Sequence, residues 1–218
     1  MSDGRLFIGT RRYSSWSLRG WLPVRLAGLD VAEMVIPITG QGTPAVKAVS
    51  PNGLVPYLEH AGNQVWESLA ICEYCAEHAP ALWPEDRAAR AHARAIAAEM
   101  HAGFRDLRMA MPMNLGRVPN DTSFSQAVLA DVERIDAIWT ATRARFGAGG
   151  PFLFGAAFNN ADAMYAPVVA RFLGYGPALS DATRAYCAAV RAHPLMEEWY
   201  RLAAAEPPEW LIAKYEAV

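Results

Sequence analysis

The chain has 218 residues, 53% of them hydrophobic, and a formal net charge of −2 from 20 Lys+Arg against 22 Asp+Glu. That apolar share fills a packed core and excludes disorder as the main state, while so even a charge balance excludes a bulk polyanion such as nucleic acid as partner. Three cysteines are too few for a disulfide scaffold and point to a reducing, cytoplasmic setting.

The first strand signal is Leu6, Phe7 and Ile8, a short apolar run closed by Gly9. It is too brief for a secretory leader, and no stretch approaches the roughly 20 apolar residues that span a bilayer, so no membrane association is expected. Ser14, Ser15 and Ser17 then precede Leu18, Leu22, Val24 and Leu26 at helical spacing, which predicts a serine-capped helix. Pro23 is expected to bend it and Gly28 to stop it. Residues 33–38 read as a second strand, ended by Pro37 and Gly40, and residues 44–49 as a short helix with Pro44 in its first turn. The turn Ser50-Pro51-Asn52-Gly53 leads into a strand over 55–59. Gly62-Asn63 reads as a hairpin turn into 64–66, and Ser68 as the cap of a helix running to His78. The order β-α-β-α-β-β-α predicts a small α/β layer with a mixed sheet.

After Pro80 and Pro84 strand signals stop. Ile96, Met100, Leu107 and Met111 predict one long helix ending near Pro112. Val128, Val132, Ile135 and Trp139 predict another, and Ala161, Tyr165, Val168 and Phe172 a third. Shorter helices are expected over 182–192 and 195–204. Asn159 and Asp162 form a helix-capping device, a matter of folding and not of catalysis. Cys72 and Cys75 fall on an apolar helix face with Ile71, which argues for packing over redox chemistry. The five histidines are scattered without metal spacing, so no metal is expected.

Several groups in the first part of the chain suit one ligand. The opening turn of the serine-capped helix offers free amides and partial positive charge to an anion, including a thiolate held against a hydroxyl. A cis peptide before Pro56 would turn the Val55 N–H and C=O outward, free to pair with a bound peptide backbone. Glu67 could hold an ammonium, and the hydroxyl and N–H of Ser68 a carboxylate. A short peptide with a thiol, a free amine and a free carboxylate fits this set. The segment 104–114 mixes apolar, soft and cationic side chains and is expected to line the partner substrate's pocket. Arg94, His101, Arg105 and Arg108 fall on roughly one face of the predicted helix, which could favour anionic electrophiles.

The pattern Ser14-Ser15-Trp16-Ser17-Leu18-Arg19, then Ser50-Pro51-Asn52-Gly53-Leu54-Val55-Pro56, then Glu67-Ser68, resembles the cytosolic glutathione transferases. The first segment is most similar to the serine-type classes, especially zeta. The resemblance implies an α/β thioredoxin-like glutathione-binding domain over 1–80 and an all-helical electrophile-binding domain over 86–218. It implies glutathione as substrate or cofactor, a small hydrophobic electrophile, a homodimer and a detoxifying role in the cytoplasm. By the same resemblance Ser14 stabilises the thiolate, with Ser15 and Ser17 able to share or replace that role. Val55, beside Pro56, pairs with the cysteinyl backbone; Glu67 and Ser68 hold the γ-glutamyl end, and Gln41 reaches the glycine end. Trp16, Arg108, Met109 and Met111 are the pocket candidates for the electrophile. Two departures stand out: Trp16 replaces the zeta cysteine, and Arg171 sits a turn early, relative to Pro167, for the zeta substrate arginine. Isomerisation, reduction of peroxides or disulfides, and ligand binding without catalysis remain open beside conjugation.

Overall fold

The computed structural model describes residues 2–38, 43–120 and 122–217. Its first half is a four-stranded mixed sheet with helices. The central strand β1 (Gly4–Gly9) buries Leu6 and Ile8 and pairs in parallel with β2 (Val31–Ile36). On its other side β1 pairs antiparallel with β3 (Tyr57–His60), which pairs antiparallel with β4 (Asn63–Trp66). The order is β2-β1-β3-β4. β2 lies two residues earlier than its apolar run suggests, because the register runs from Gly4↔Val31 to Gly9↔Ile36 and Pro37 has no N–H to continue the ladder. β3 likewise begins after Pro56. The hairpin turn is Ala61-Gly62, not Gly62-Asn63: His60 pairs with Asn63, and both intervening residues have positive φ, +49° and +78°.

Helix α1 (Ser15–Leu26) follows β1 and packs against α3 (Ser68–His78); α2 (Pro44–Val49) lies between β2 and β3. The Val55–Pro56 peptide is cis. Gly20 of α1 rests on Pro56: a Cβ there would lie 2.6 and 2.7 Å from two atoms of the proline ring. Glycine is what lets the helix come this close.

A short turn at Pro80–Leu82 leads to the helical half. Here the long helix expected through Met111 is broken. α4 (Arg87–Ala102) ends at Gly103, Phe104 adopts left-handed backbone at φ +56°, and α5 (Arg105–Ala110) starts in a new direction with the Leu107 N–H on Asp131. Phe104 is buried in the core, and that burial holds the bulky residue in a disfavoured conformation. Arg94, His101, Arg105 and Arg108 therefore do not share one helix face. α8 (Asp181–Arg191) packs against α7 (Asn160–Tyr175), Trp139 of α6 (Gln126–Phe146) meets its Tyr165 and Phe172, and α9 (Pro194–Ala204) lies against α1 and α8. α7 is apolar on nearly every side, as a central helix must be, and packs against α1 and α4. Its capping box joins Asn159 and Asp162 as expected. Asp162 is fully buried and accepts from the Leu153 and Asn159 amides and the Tyr186 hydroxyl, yet burial still pushes its pKa up to about 6.

A last short helix, α10 (Ala213–Glu216), was not expected. The Glu216 carboxylate accepts from the Arg12 guanidinium at 3.0 and 2.9 Å, from Asn114 at 3.1 Å, and from the Tyr13 hydroxyl. Tertiary contacts, not local periodicity, fix this element. Cys72, Cys75 and Cys187 are free and buried, and burial pushes Cys75 up to about 12, so these thiols are packing groups. Among the described residues no helix is long and apolar enough to cross a membrane.

Candidate active site

The loop from β1 delivers three serines to the start of α1. Ser14 is the N-cap: its Oγ accepts from the Ser17 N–H at 3.3 Å and lies 2.7 Å from the Ser17 Oγ. The Ser17 Oγ in turn accepts from the Gly9 N–H at 2.9 Å. Ser17 is fully buried, and among the described residues its own hydroxyl proton reaches only the Ser14 oxygen. Satisfying that buried donor makes Ser17 give and Ser14 receive. The Ser14 proton is then free to point into the cleft. Ser17 does not line the cleft and, contrary to its place among the candidate hydroxyls, is a support for Ser14. Ser15 does line it, with its Oγ accepting from the Arg171 Nη2 at 3.2 Å.

Two cavities meet at this turn, and Trp16, Leu54 and Val55 border both. The first, of about 330 Å³, has Ser14 and Ser15 on one side and Arg108, Pro112, Met113, Arg171 and Tyr215 on the other. The second, of about 260 Å³, is lined by Asn52, Pro56, Glu67, Ser68 and His101. Among the described residues neither the N–H nor the C=O of Val55 makes a hydrogen bond, so this edge is open between the two cavities.

Glu67 precedes α3 with φ +70°, a conformation that aims its side chain into the second cavity's rim. Asn52 donates to it at 3.2 Å, and the His101 Nε2 lies 3.7 Å away. Ser68, predicted as the cap of α3, is instead its first residue; its buried Oγ has no partner among the described residues. A carboxylate beside a free hydroxyl at a helix N-terminus can hold the two charges of an amino-acid head. Burial holds His101 below the ordinary histidine range, against the opposing pull of Glu67, which leaves the ring neutral at pH 7.

Trp16 separates the cavities. Its ring faces Arg19 at 4.6 Å and Arg108 at 5.4 Å, and His101 meets it edge-on at 5.3 Å. Arg19 is fully buried; its Nε donates to the Met164 carbonyl at 2.7 Å, and its two Nη atoms have no hydrogen-bond partner among the described residues. Burial pushes its pKa well down, with Arg171 and Arg108 adding to the effect.

The structure revises two pocket candidates. Met109 is 73% exposed on the outside of α5, and Met111 is buried in the core, offering only its carbonyl to the Arg171 Nε at 2.7 Å. The break at Phe104 turns both side chains away, and Met113 takes the cavity position. Gln41 lies outside the described residues. Arg171, Tyr215 and Asn52 are site residues that spacing did not reveal as such; only the turn around Asn52 carried a local signal, and His101, expected on a basic face toward the electrophile, lies instead in the second cavity beside Glu67.

The N-terminal domain model of glutathione S-transferases matches residues 13–78, and the C-terminal domain model of the same family matches residues 121–204. The chain belongs to the glutathione S-transferase family. Protein IN2-1 homolog A of Oryza sativa subsp. japonica is 29% identical over 180 residues, 78% of this chain and 69% of that protein. Glutathione S-transferase L1 of Arabidopsis thaliana is 37% identical over 94 residues, 39% of this chain and only 40% of that relative's length. Among solved structures, a glutathione transferase homolog from Burkholderia with bound glutathione has a TM-score of 0.70 at 22% identity. It is matched over 94% of this chain and 100% of that one, and carries the same fold.

Proposed function

We propose that this glutathione transferase is a serine-type enzyme with a zeta-like first turn, in which Ser14 donates a hydrogen bond to the glutathione thiolate. The observation that carries the reading is the Ser14 hydroxyl at the N-terminus of α1, lining the cleft beside the open backbone edge of Val55. The tripeptide's sulfur sits by Ser14, its cysteinyl backbone pairs with Val55 next to Pro56, and its γ-glutamyl head enters the cavity of Glu67 and Ser68. Ser15 is a second donor to the same sulfur. The electrophile occupies the half of the cleft between Trp16, Arg108 and Met113. The boundary between glutathione-binding and electrophile-binding domains falls between residues 80 and 86.

A free thiol has a pKa near ~8.5 and is mostly protonated at neutral pH. Lowering it by about one unit needs about 1.4 kcal/mol of preference for the thiolate, within reach of a hydroxyl donor plus helix amides. The thiol proton passes to water as the thiolate forms; the sulfur then makes a C–S bond to an electrophilic carbon, and a leaving group departs with its bonding pair or, in an addition, the displaced π electrons take up a proton from water. A homodimer in the cytoplasm, acting on reactive electrophiles, completes the proposal, and light scattering tests the dimer.

The deciding experiment titrates the ultraviolet absorbance of bound thiolate against pH in wild type and Ser14→Ala. The substitution should raise the bound thiol's pKa by about one unit and cut turnover about tenfold, with little change in glutathione affinity. Unchanged titration and turnover would overturn the role of Ser14.

A further inference from the structure

We propose that the electrophile half of the cleft is an anion subsite, and that the enzyme's co-substrate carries a carboxylate seated on Arg108 with Arg171 behind it. This deepens the glutathione reading above and rests on it for the nucleophile.

The argument begins with charge balance. Arg19, Arg108 and Arg171 converge on Trp16 and Ser15, and among the described residues none of the three has an ion-pair partner. Arg19 and Arg171 are buried. Buried cations are ordinarily paired, because removing a charge from water is expensive. Arg171 satisfies its hydrogen bonds on neutral oxygens: Nε on the Met111 carbonyl, Nη1 on the Pro167 carbonyl at 3.3 Å and Nη2 on Ser15. These bonds fix the guanidinium but bring no negative charge. Among the described residues Arg19 keeps both Nη atoms without a hydrogen-bond partner. The nearby acid Glu216 is already committed to Arg12, Tyr13 and Asn114. Asp131, the acid whose charge Arg108 feels, spends an oxygen on the Leu107 amide.

Arg108 is the member of the trio that lines the cavity with its donors uncommitted. Its side chain lines the first cavity and its guanidinium makes no hydrogen bond among the described residues, while the Trp16 ring lies 5.4 Å from it. A guanidinium so placed offers a planar fork that matches a carboxylate. The two buried cations behind it add field in a low-dielectric wall, which favours an anion from solution. Burial pushes Arg171 down to about 10, still a cation at pH 7. Met113 and Pro112 supply apolar wall for the rest of the co-substrate. Ser14 opens onto the same cavity, so a carboxylate on Arg108 holds a reactive carbon on the thiolate's side of the cleft.

The test uses 4-chloro-3-nitrobenzoate and its methyl ester. In both, the glutathione thiolate forms a C–S bond to the ring carbon bearing chlorine and chloride leaves with the bonding pair. The ratio of kcat/KM for acid over ester is measured in wild type, Arg108→Gln and Arg108→Lys, which cancels the probes' intrinsic reactivity. Arg108→Gln should lower that ratio about tenfold, because the acid loses its counter-cation and the ester has no charge to lose; Arg108→Lys should recover part of it. Calorimetry with the two glutathione conjugates gives the same comparison without turnover, and the acid conjugate should bind wild type more tightly than its ester. An unchanged ratio with equal conjugate affinities overturns the subsite, as does failure of both conjugates to bind. A raised glutathione KM in Arg108→Gln also overturns it, because Arg108 then holds the tripeptide's own carboxylate. The thiolate titration of Ser14→Ala is independent of all these outcomes, so the two readings fail separately.

Discussion

The Ser17 hydroxyl lies 2.7 Å from that of Ser14 while accepting the Gly9 N–H, so two serines tie the end of β1 to the cap of α1. Ser17→Ala removes the acceptor of a buried amide and the donor that orients Ser14. The unfolding free energy should fall by about 1–3 kcal/mol. Turnover should fall less than in Ser14→Ala, because the reacting hydroxyl remains. Thermal melts and steady-state kinetics on the two variants check both statements, and equal stability of Ser17→Ala and wild type would refute the tie.

Gly20 pits two effects against each other. Alanine gains about 1 kcal/mol in helix propensity over glycine. Its Cβ would also sit 2.6 Å from the Pro56 ring. Overpacking of this kind costs about 1–3 kcal/mol, so Gly20→Ala should be destabilising on balance. The glutathione KM should rise with it, since relief of the clash moves Pro56 and the adjoining Val55. A higher melting temperature would show that the wall yields without loss.

Glu67 faces the second cavity with its carboxylate supported by Asn52. Glu67→Gln keeps the shape and removes the charge that meets an ammonium. Glutathione KM should rise about tenfold with kcat nearly unchanged, the size expected for one charge-assisted hydrogen bond. A glutathione analogue lacking the amino group should bind wild type and variant alike.

Asp162 gives stability a specific pH dependence. Burial lifts its pKa from 3.8 to about 6 in the folded chain. Between those values the folded state holds the proton more tightly than the unfolded one, so this group's contribution falls as pH rises from about 4 to about 6 and is flat above. Asp162→Asn removes that slope. It also gives up one of the carboxylate's two accepting oxygens, which bond Leu153, Asn159 and Tyr186, and should lose about 1–3 kcal/mol. Melts of both proteins from pH 4 to pH 7 read the difference between them.

How much of this was legible beforehand varied with the range of the deciding contact. The strands, the Ser14 cap and the turn before Val55 carry local signals: β-rich runs, a serine before a helical period, and Pro-Asn-Gly. The same pattern brings Ser14, Val55, Glu67 and Ser68 around two adjoining cavities. Met109 and Met111 are expected in the pocket from the mixed character of the segment 104–114, but which way that segment faces is set by the break at the left-handed, buried Phe104. Arg171 meets Ser15 from 156 residues away, and α10 is only four residues long, too short for a periodic signal. Ser17 looked equivalent to its neighbours until β1 supplied the amide that claims it.

Trp16 is a partition common to two chambers, wedged by cations on its faces and an imidazole at its edge. A guest in either chamber borders the same indole. Occupancy by the nucleophile and by its target is therefore reciprocal: whatever shift in affinity one guest imposes on the other must be returned in equal measure.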